Sequence, residues 1–176
     1  MTSPKPGAAS PPTVRPARPE DAPGIAALLI ELGYPGDSVE QVRERLGRWA
    51  RAENAAVLVT EYQARLAGAV AVTAIPYFEH DGSWGRIVAL VVADGNRGRG
   101  IGRLLVESAE QAALSLGCVT MELTSARRRP EAHPFYRALG YQDWSPNSAR
   151  YVKDLVPGAS ASSYAMRGDP PRDDPR

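Results

Sequence analysis

The sequence predicts one mixed α/β domain, a mixed sheet with helices on its faces. Three observations carry this. Short apolar runs rich in Val recur through the middle of the chain. Stretches of helical period separate them. Their order, roughly β-α-α-β-β-β-α-β-α-β-β, interleaves the two kinds of element. The chain's 176 residues suit a single domain with a real core. Its ends differ: residues 1–12 and 157–176 hold eight of the sixteen prolines, among Ser, Ala, Gly, Arg and Asp. Such segments bury too little apolar surface to offset the entropy of ordering. Both tails are expected to be disordered, leaving a domain over residues 13–156.

A short strand is expected at Thr13–Ala17. In residues 20–32, Ile25, Leu28, Leu29 and Leu32 share one helical face, and Gly33 follows as a stop. Ser38 is placed to cap a second helix, in which Val39, Val42, Leu46 and Trp49 share a face. Residues 55–62 and 66–75 read as two strands joined by a short turn, and Pro76 ends the second. YFEHDGSWG is a loop with turn chemistry at Asp81-Gly82. RIVALVVA, residues 86–93, is nearly unbroken apolar sequence, as in a central strand buried on both faces. Ile101, Leu105, Ala109, Ala112 and Leu116 mark a long helix ended by Gly117. CVTMELTS, residues 118–125, alternates as a strand, and EAHPFYRALG is a short helix ended by Gly140. YQDW and ARYVKDL are expected to close the sheet as two further strands.

Between the apolar strand and the long helix lies NRGRGIGR, with Gly98, Gly100 and Gly102 at every second position. The first turn of a helix carries unpaired N–H groups and a partial positive charge, which together make an anion site. Glycine lets a ligand approach the backbone closely, and Arg97 and Arg99 add guanidinium groups matched to phosphate. A tight turn alone would need one glycine; three glycines beside two arginines point to a phosphate site. GxxxxGK[ST] is absent, and the GxGxG spacing here differs from the dinucleotide fingerprint GxGxxG.

The R-x-x-G-x-G pattern of Arg97, Gly100 and Gly102 resembles the acetyl-CoA pyrophosphate loop of the GNAT superfamily of N-acetyltransferases. RIVALVV before it, GRLLVESAEQAALSLGC after it and PEAHPFYRALGY downstream follow that family's order and spacing. The resemblance covers nearly all of residues 13–156. It implies a mostly antiparallel sheet of six to seven strands with about four helices, splayed between strands 4 and 5. It also implies acetyl-CoA as cosubstrate. Leu90, Val91 and Val92 would then offer backbone groups to the pantetheine arm. The amides of Arg97, Gly98, Arg99, Gly100, Ile101 and Gly102 would hold the pyrophosphate. A narrower stretch, ELTSARRRPEAHPFYRALGY, is similar to that of aminoalkylphosphonate N-acetyltransferases.

Acetyl transfer to an amine needs a neutral amine, a stabilised carbonyl oxygen and a proton for the departing thiolate. By the resemblance, Tyr136 is that acid, and an ordinary phenol near ~10 keeps its proton at neutral pH. Its alternative role is packing beside Phe135. The amide of Val92 would polarise the thioester carbonyl. Several family members carry a glutamate on the fourth strand, where this chain has Arg86 and Ala89. Glu79 and His80, just upstream, are the candidate bases, since His exchanges protons near neutral pH; a water chain and a merely solvated loop are the alternatives. His133 falls in the helix that touches the CoA arm in the family, and Arg129 of the RRR run is a candidate for the CoA 3′-phosphate. No metal site is read from the sequence. The loops at Tyr34–Asp37 and Tyr77–Trp84 should border the acceptor. There Glu31, Asp37, Glu79 and Asp81 could attract an ammonium, and Arg86 an anionic tail.

The expected activity is N-acetyl transfer from acetyl-CoA to a small-molecule primary amine. A protein lysine or N-terminus as acceptor, and a non-catalytic acyl-CoA-binding module, are the competing readings. The net charge of +1 and the absence of a stacking-aromatic motif argue against nucleic acid as a partner. No apolar run approaches the length of a membrane span and no signal peptide is visible. With Cys118 the only cysteine, a cytoplasmic protein is expected. Whether the chain pairs as a homodimer is left open by the sequence.

Overall fold

The structure is a computed structural model; it describes residues 11–126, 129–149, 151, 153 and 155. They fall into two compact units divided between Thr124 and Ser125. Except for Pro11 and Pro12, the expected tails lie outside the described residues, as do Arg127 and Arg128.

The first unit is a five-stranded sheet of order β1-β2-β3-β4-β5: Thr13–Pro16, Ala55–Tyr62, Arg65–Pro76, Ser83–Val92 and Cys118–Leu123. The first three pairings are antiparallel and the last is parallel. Helices α1 (Ala22–Leu32) and α2 (Val39–Ala50) fall between β1 and β2, and α3 (Ile101–Ser115) is the crossover that a parallel pair requires. β2 and β3 meet in a two-residue turn at Gln63 and Ala64, both with positive φ, the geometry that matches strand twist. β4 begins three residues earlier than expected, because Tyr77 donates its N–H to Gly82 O at 3.1 Å and closes the preceding loop tightly.

The two faces of the sheet are covered differently. Val59, Ala69 and Val91 pack with Ala22, Ile25 and Leu28 of α1 and with Val42 and Leu46 of α2. Ser38 caps α2 as expected: its Oγ accepts the Gln41 N–H, and the Gln41 side chain accepts the Ser38 N–H. The opposite face carries α3, which buries Ile101, Leu105, Val106, Ala109 and Ala113. Helix and sheet approach closely at Gly68, where a Cβ would stand 2.8 Å from Leu105 Cδ1 and 2.8 Å from the Val91 carbonyl oxygen.

Arg15 of β1 ties the sheet edge to the start of α1. Its guanidinium donates to both oxygens of the Asp21 carboxylate at 2.7 Å and, through Nε, to Glu61 at 2.9 Å. Asp21 is buried and also accepts the Arg18 N–H. The bidentate bond from Arg15 holds the Asp21 carboxyl below its ordinary range, against the opposing effect of burial.

In the second unit, α4 (Ala132–Ala138) ends at Gly140, whose φ of 91° allows Tyr141 to donate its N–H back to Tyr136 O at 3.1 Å. Residues 141–144, expected as a strand, form none. The Asp143 carboxylate accepts the Ser145 N–H and the Trp144 carbonyl accepts the Asn147 N–H, so turn chemistry takes this backbone instead. Of the strand expected at 149–155, residues 150, 152 and 154 lie outside the described residues, and 149, 151, 153 and 155 are not in a strand.

Two outcomes follow. Gly68→Ala should lower stability by ~1–3 kcal/mol in a denaturant melt, because a strand carbonyl has no room to retreat; an unchanged midpoint would refute the close packing. Asp21 contributes stability that is complete above its unfolded pKa near ~3.9 and is lost as pH falls through the lower folded value. Asp21→Asn should cost about 2 kcal/mol at pH 7 and flatten the pH dependence of stability below pH ~4.

Candidate active site

The site begins with a change of phase in β4. Ala71 pairs with Ala89 but Val72 pairs with Ile87, so Val88 is an extra residue, a β-bulge that bends the strand. At the same place β4 loses its other neighbour. Pairing with β5 runs only from Ser83 to Ile87, the partner of Leu123, where β5 ends. Val88–Val92 have no partner on that side among the described residues. This is the expected parting of strands 4 and 5, and it explains why β4 is not buried on both faces: Val88 is 47% exposed.

Ala93 donates its N–H to Ala67 O at 2.9 Å, toward β3. Backbone polar groups alternate sides along a strand, so Val92 presents its N–H toward the open side. The Val91 side chain is buried against α1 and α2, which leaves its neighbours to contribute through backbone alone.

Beyond β4, Asp94–Asn96 form a short 3-10 turn, and Gly98 and Gly100 follow with φ of 74° and 80°. Two of the three glycines are thus required by backbone conformation. Nothing among the described residues lies within 4 Å of where a Cβ would stand at either position. Gly100 is the N-cap of α3 and no side chain caps it. The Ile101 side chain is 1% exposed and anchors the helix in the core, so its contribution to a ligand is its N–H. Among the described residues no side chain caps the first-turn amides of α3, in contrast to the capped start of α2.

The arginines around this turn already have partners. The Arg97 guanidinium pairs with Asp94, and its N–H donates to Asp94 O at 3.3 Å, so an anion at Arg97 must compete with that carboxylate. Arg99 lies over the Tyr62 ring at 5.7 Å, a cation–π contact that sequence reading missed. Arg103 pairs with Glu107 at 3.5 Å. Glu31, expected to draw an ammonium, instead accepts the Asp94 N–H at 2.8 Å and tethers α1 to the loop that enters the turn. Asp37 pairs with Arg45 at 2.8 Å.

Glu79 and His80 are not brought to the glycine turn. They sit in the loop before β4, and the ten residues of that strand separate them from the turn by roughly 30 Å. Both are exposed; Glu79 accepts the Phe78 N–H, and the His80 ring lies 4.1 Å from that of Tyr77 with Nδ1 at the Asp81 carbonyl. Sequence reading also missed Glu122. It is the β5 partner of Arg86, and the two side chains form an ion pair one step before the strands part.

In the second unit, Tyr136 packs edge-on against Phe135 and Tyr141, with ring centroids 5.1 and 6.1 Å away. Burial raises its phenol above the ordinary value, and the Arg129 guanidinium opposes the shift. Tyr136 therefore holds its proton across the neutral range. His133 is half-buried on the same helix. Among the described residues no group of side chains is arranged to hold a metal ion, and no helix is long and apolar enough to cross a membrane.

Two features therefore mark this site: a sheet that opens after Ile87 and, beside it, a helix begun on bare glycine amides. The chain belongs to the Acetyltransferase (GNAT) family, which it matches over residues 24–141, and it is an acyltransferase. Three solved structures are similar in fold. Glucosamine-6-phosphate N-acetyltransferase from Arabidopsis thaliana is 22% identical, with a TM-score of 0.71 over 82% of this chain and 99% of that one. A GNAT acetyltransferase from Staphylococcus aureus is 21% identical, with a TM-score of 0.68 over 82% and 99%. An aminoglycoside N-acetyltransferase in complex with CoA is 13% identical, with a TM-score of 0.72 over 86% and 99%. No curated protein matches the chain.

The left-handed turn makes a specific demand. Gly100→Ala strains φ and places a methyl group before the first-turn amides. The expected result is at least a tenfold rise in the Kd of CoA by calorimetry, with a melting temperature lowered by only a few degrees. Unchanged affinity would move the carrier's site elsewhere.

Proposed function

We propose that this chain transfers the acetyl group of acetyl-CoA to the primary amine of a small molecule by direct attack. The observation that carries this reading is the combination, within one unit, of an uncapped α3 N-terminus and a strand end without a β5 partner. Five residues from Val88 to Val92 span about 17 Å, a length suited to an extended pantetheine arm between the glycine turn and the point where the strands part. The amides of Gly98 to Gly102 bind the diphosphate. The Val92 N–H, turned to the open side, is available to the arm or its carbonyl oxygen.

Tyr136 is the proton donor to the thiolate in this reading. Its raised phenol supports that role, because the group stays protonated through the neutral range. Arg129 and His133 are assigned to the CoA side through the family resemblance. Glu79 and His80 stand about 13 Å or more from the parting of the strands, counted along the residues of β4 before it. They therefore serve as the far end of a water relay for the amine's proton. The catalytic domain is assigned to residues 13–156.

Tyr136→Phe tests the assignment. It should lower kcat about 100-fold and leave the KM for acetyl-CoA within a factor of a few. The parent should show no alkaline loss of kcat below pH ~10, since a raised pKa moves that loss upward. CoA release by the variant at the parental rate would remove Tyr136 from the mechanism. CoA binding without release for any amine in a broad panel would leave a binding module in place of an enzyme.

A further inference from the structure

β4 carries one charged residue, Arg86, and β5 carries one, Glu122. They are register partners and form an ion pair. The pairing of Thr73 with Arg86 and of Ala69 with Val91 puts Arg86 on the sheet face that packs α1 and α2. The helices cover that face around Val59, Ala69 and Val91, whereas the Arg86 and Glu122 side chains remain 28% and 44% exposed. Trp84 is the partner of Thr120 on the same face, and the Thr120 hydroxyl meets the Tyr77 hydroxyl at 2.7 Å. The two charges thus stand beside an aromatic and two hydroxyls, one residue before Ile87, where β5 ends its pairing.

A partly exposed ion pair adds little to stability, and this one joins the single charges of two otherwise uncharged strands. A ligand with only an ammonium would have to draw Glu122 away and leave Arg86 without its counter-charge. A ligand bearing both charges replaces each half of the pair at once, and the guanidinium fork suits an oxyanion. We infer that the Arg86–Glu122 pair is the acceptor-recognition site, and that the acceptor is a small zwitterion: a primary ammonium that binds Glu122, joined to a carboxylate or phosphonate that binds Arg86. This rests on the amine-acetyltransferase reading above and names its substrate class.

The test compares three primary amines of equal chain length on the full chain: propylamine, 3-aminopropionate and 2-aminoethylphosphonate. Either zwitterion should exceed propylamine at least tenfold in kcat/KM, and the stronger of the two identifies the oxyanion. Arg86→Gln should raise the zwitterion's KM at least tenfold and lower that of propylamine, since no guanidinium is then left without its counter-charge. Glu122→Gln should raise KM for all three. CoA affinity should stay within twofold in both variants, and Tm within about 3 °C. Arg86→Lys, which keeps the charge without the fork, should recover part of the loss. Binding is read separately from turnover, as the Tm increase that each amine gives the CoA-bound protein. Equal handling of propylamine and both zwitterions, or an equal loss on all amines in Arg86→Gln, overturns the inference and leaves the acetyltransferase reading intact. If no amine turns over, that reading fails, and the recognition site stands or falls on whether a zwitterion, and not propylamine, raises Tm in the parent but not in Arg86→Gln.

Discussion

Peptide groups that the protein itself does not satisfy organise this molecule. Buried backbone donors and acceptors normally find partners within the fold. Here two adjoining sets lack them among the described residues: the groups of Val88–Val92 that face away from β3, and the first-turn amides of α3. Both follow from how the chain joins β4 to β5. A parallel neighbour demands a crossover helix, the helix must start near the end of β4, and its exposed amides then point at whatever lies beside the open strand. The close seat of α3 on Gly68 fixes where those amides stand.

The charge around the turn is local. Asp94, Tyr62 and Glu107 each engage one of the nearby arginines. A net charge of +1 adds no long-range attraction for an anion. In the proposed reading, affinity for a diphosphate therefore rests chiefly on aligned amides at short range, and the φ values of Gly98 and Gly100 weigh more than the number of arginines. The tether from Glu31 to the Asp94 N–H shares in this, because it fixes the residue that enters the turn.

Local patterns were legible in the sequence. β2 appears at its expected residues, α2 starts at its expected cap, and the glycine run falls between strand and helix where its chemistry requires. Features that depend on register were not. After Arg86 the run IVALVV is apolar throughout, so nothing in it marks Val88 as the residue without a partner. Glu122 looked like an ordinary polar position of an alternating strand until the parallel pairing set it beside Arg86. Glu31 and Asp94 lie 63 positions apart, and only packing makes them neighbours. The expected strand at 141–144 failed for a local reason, since Asp143 turns the chain before pairing can begin.

The extra residue in β4 also reverses the strand's parity. In an unbroken strand, positions 86 and 91 would project from opposite sides of the sheet, because they differ by an odd number. With Val88 inserted they project from the same side. One continuous strand can thereby show a guanidinium to solvent near its beginning and seat a valine beneath two helices near its end. Straightening that bulge with every residue kept would force a choice between the two, turning either the charge onto the α3 face or the valine out of the core.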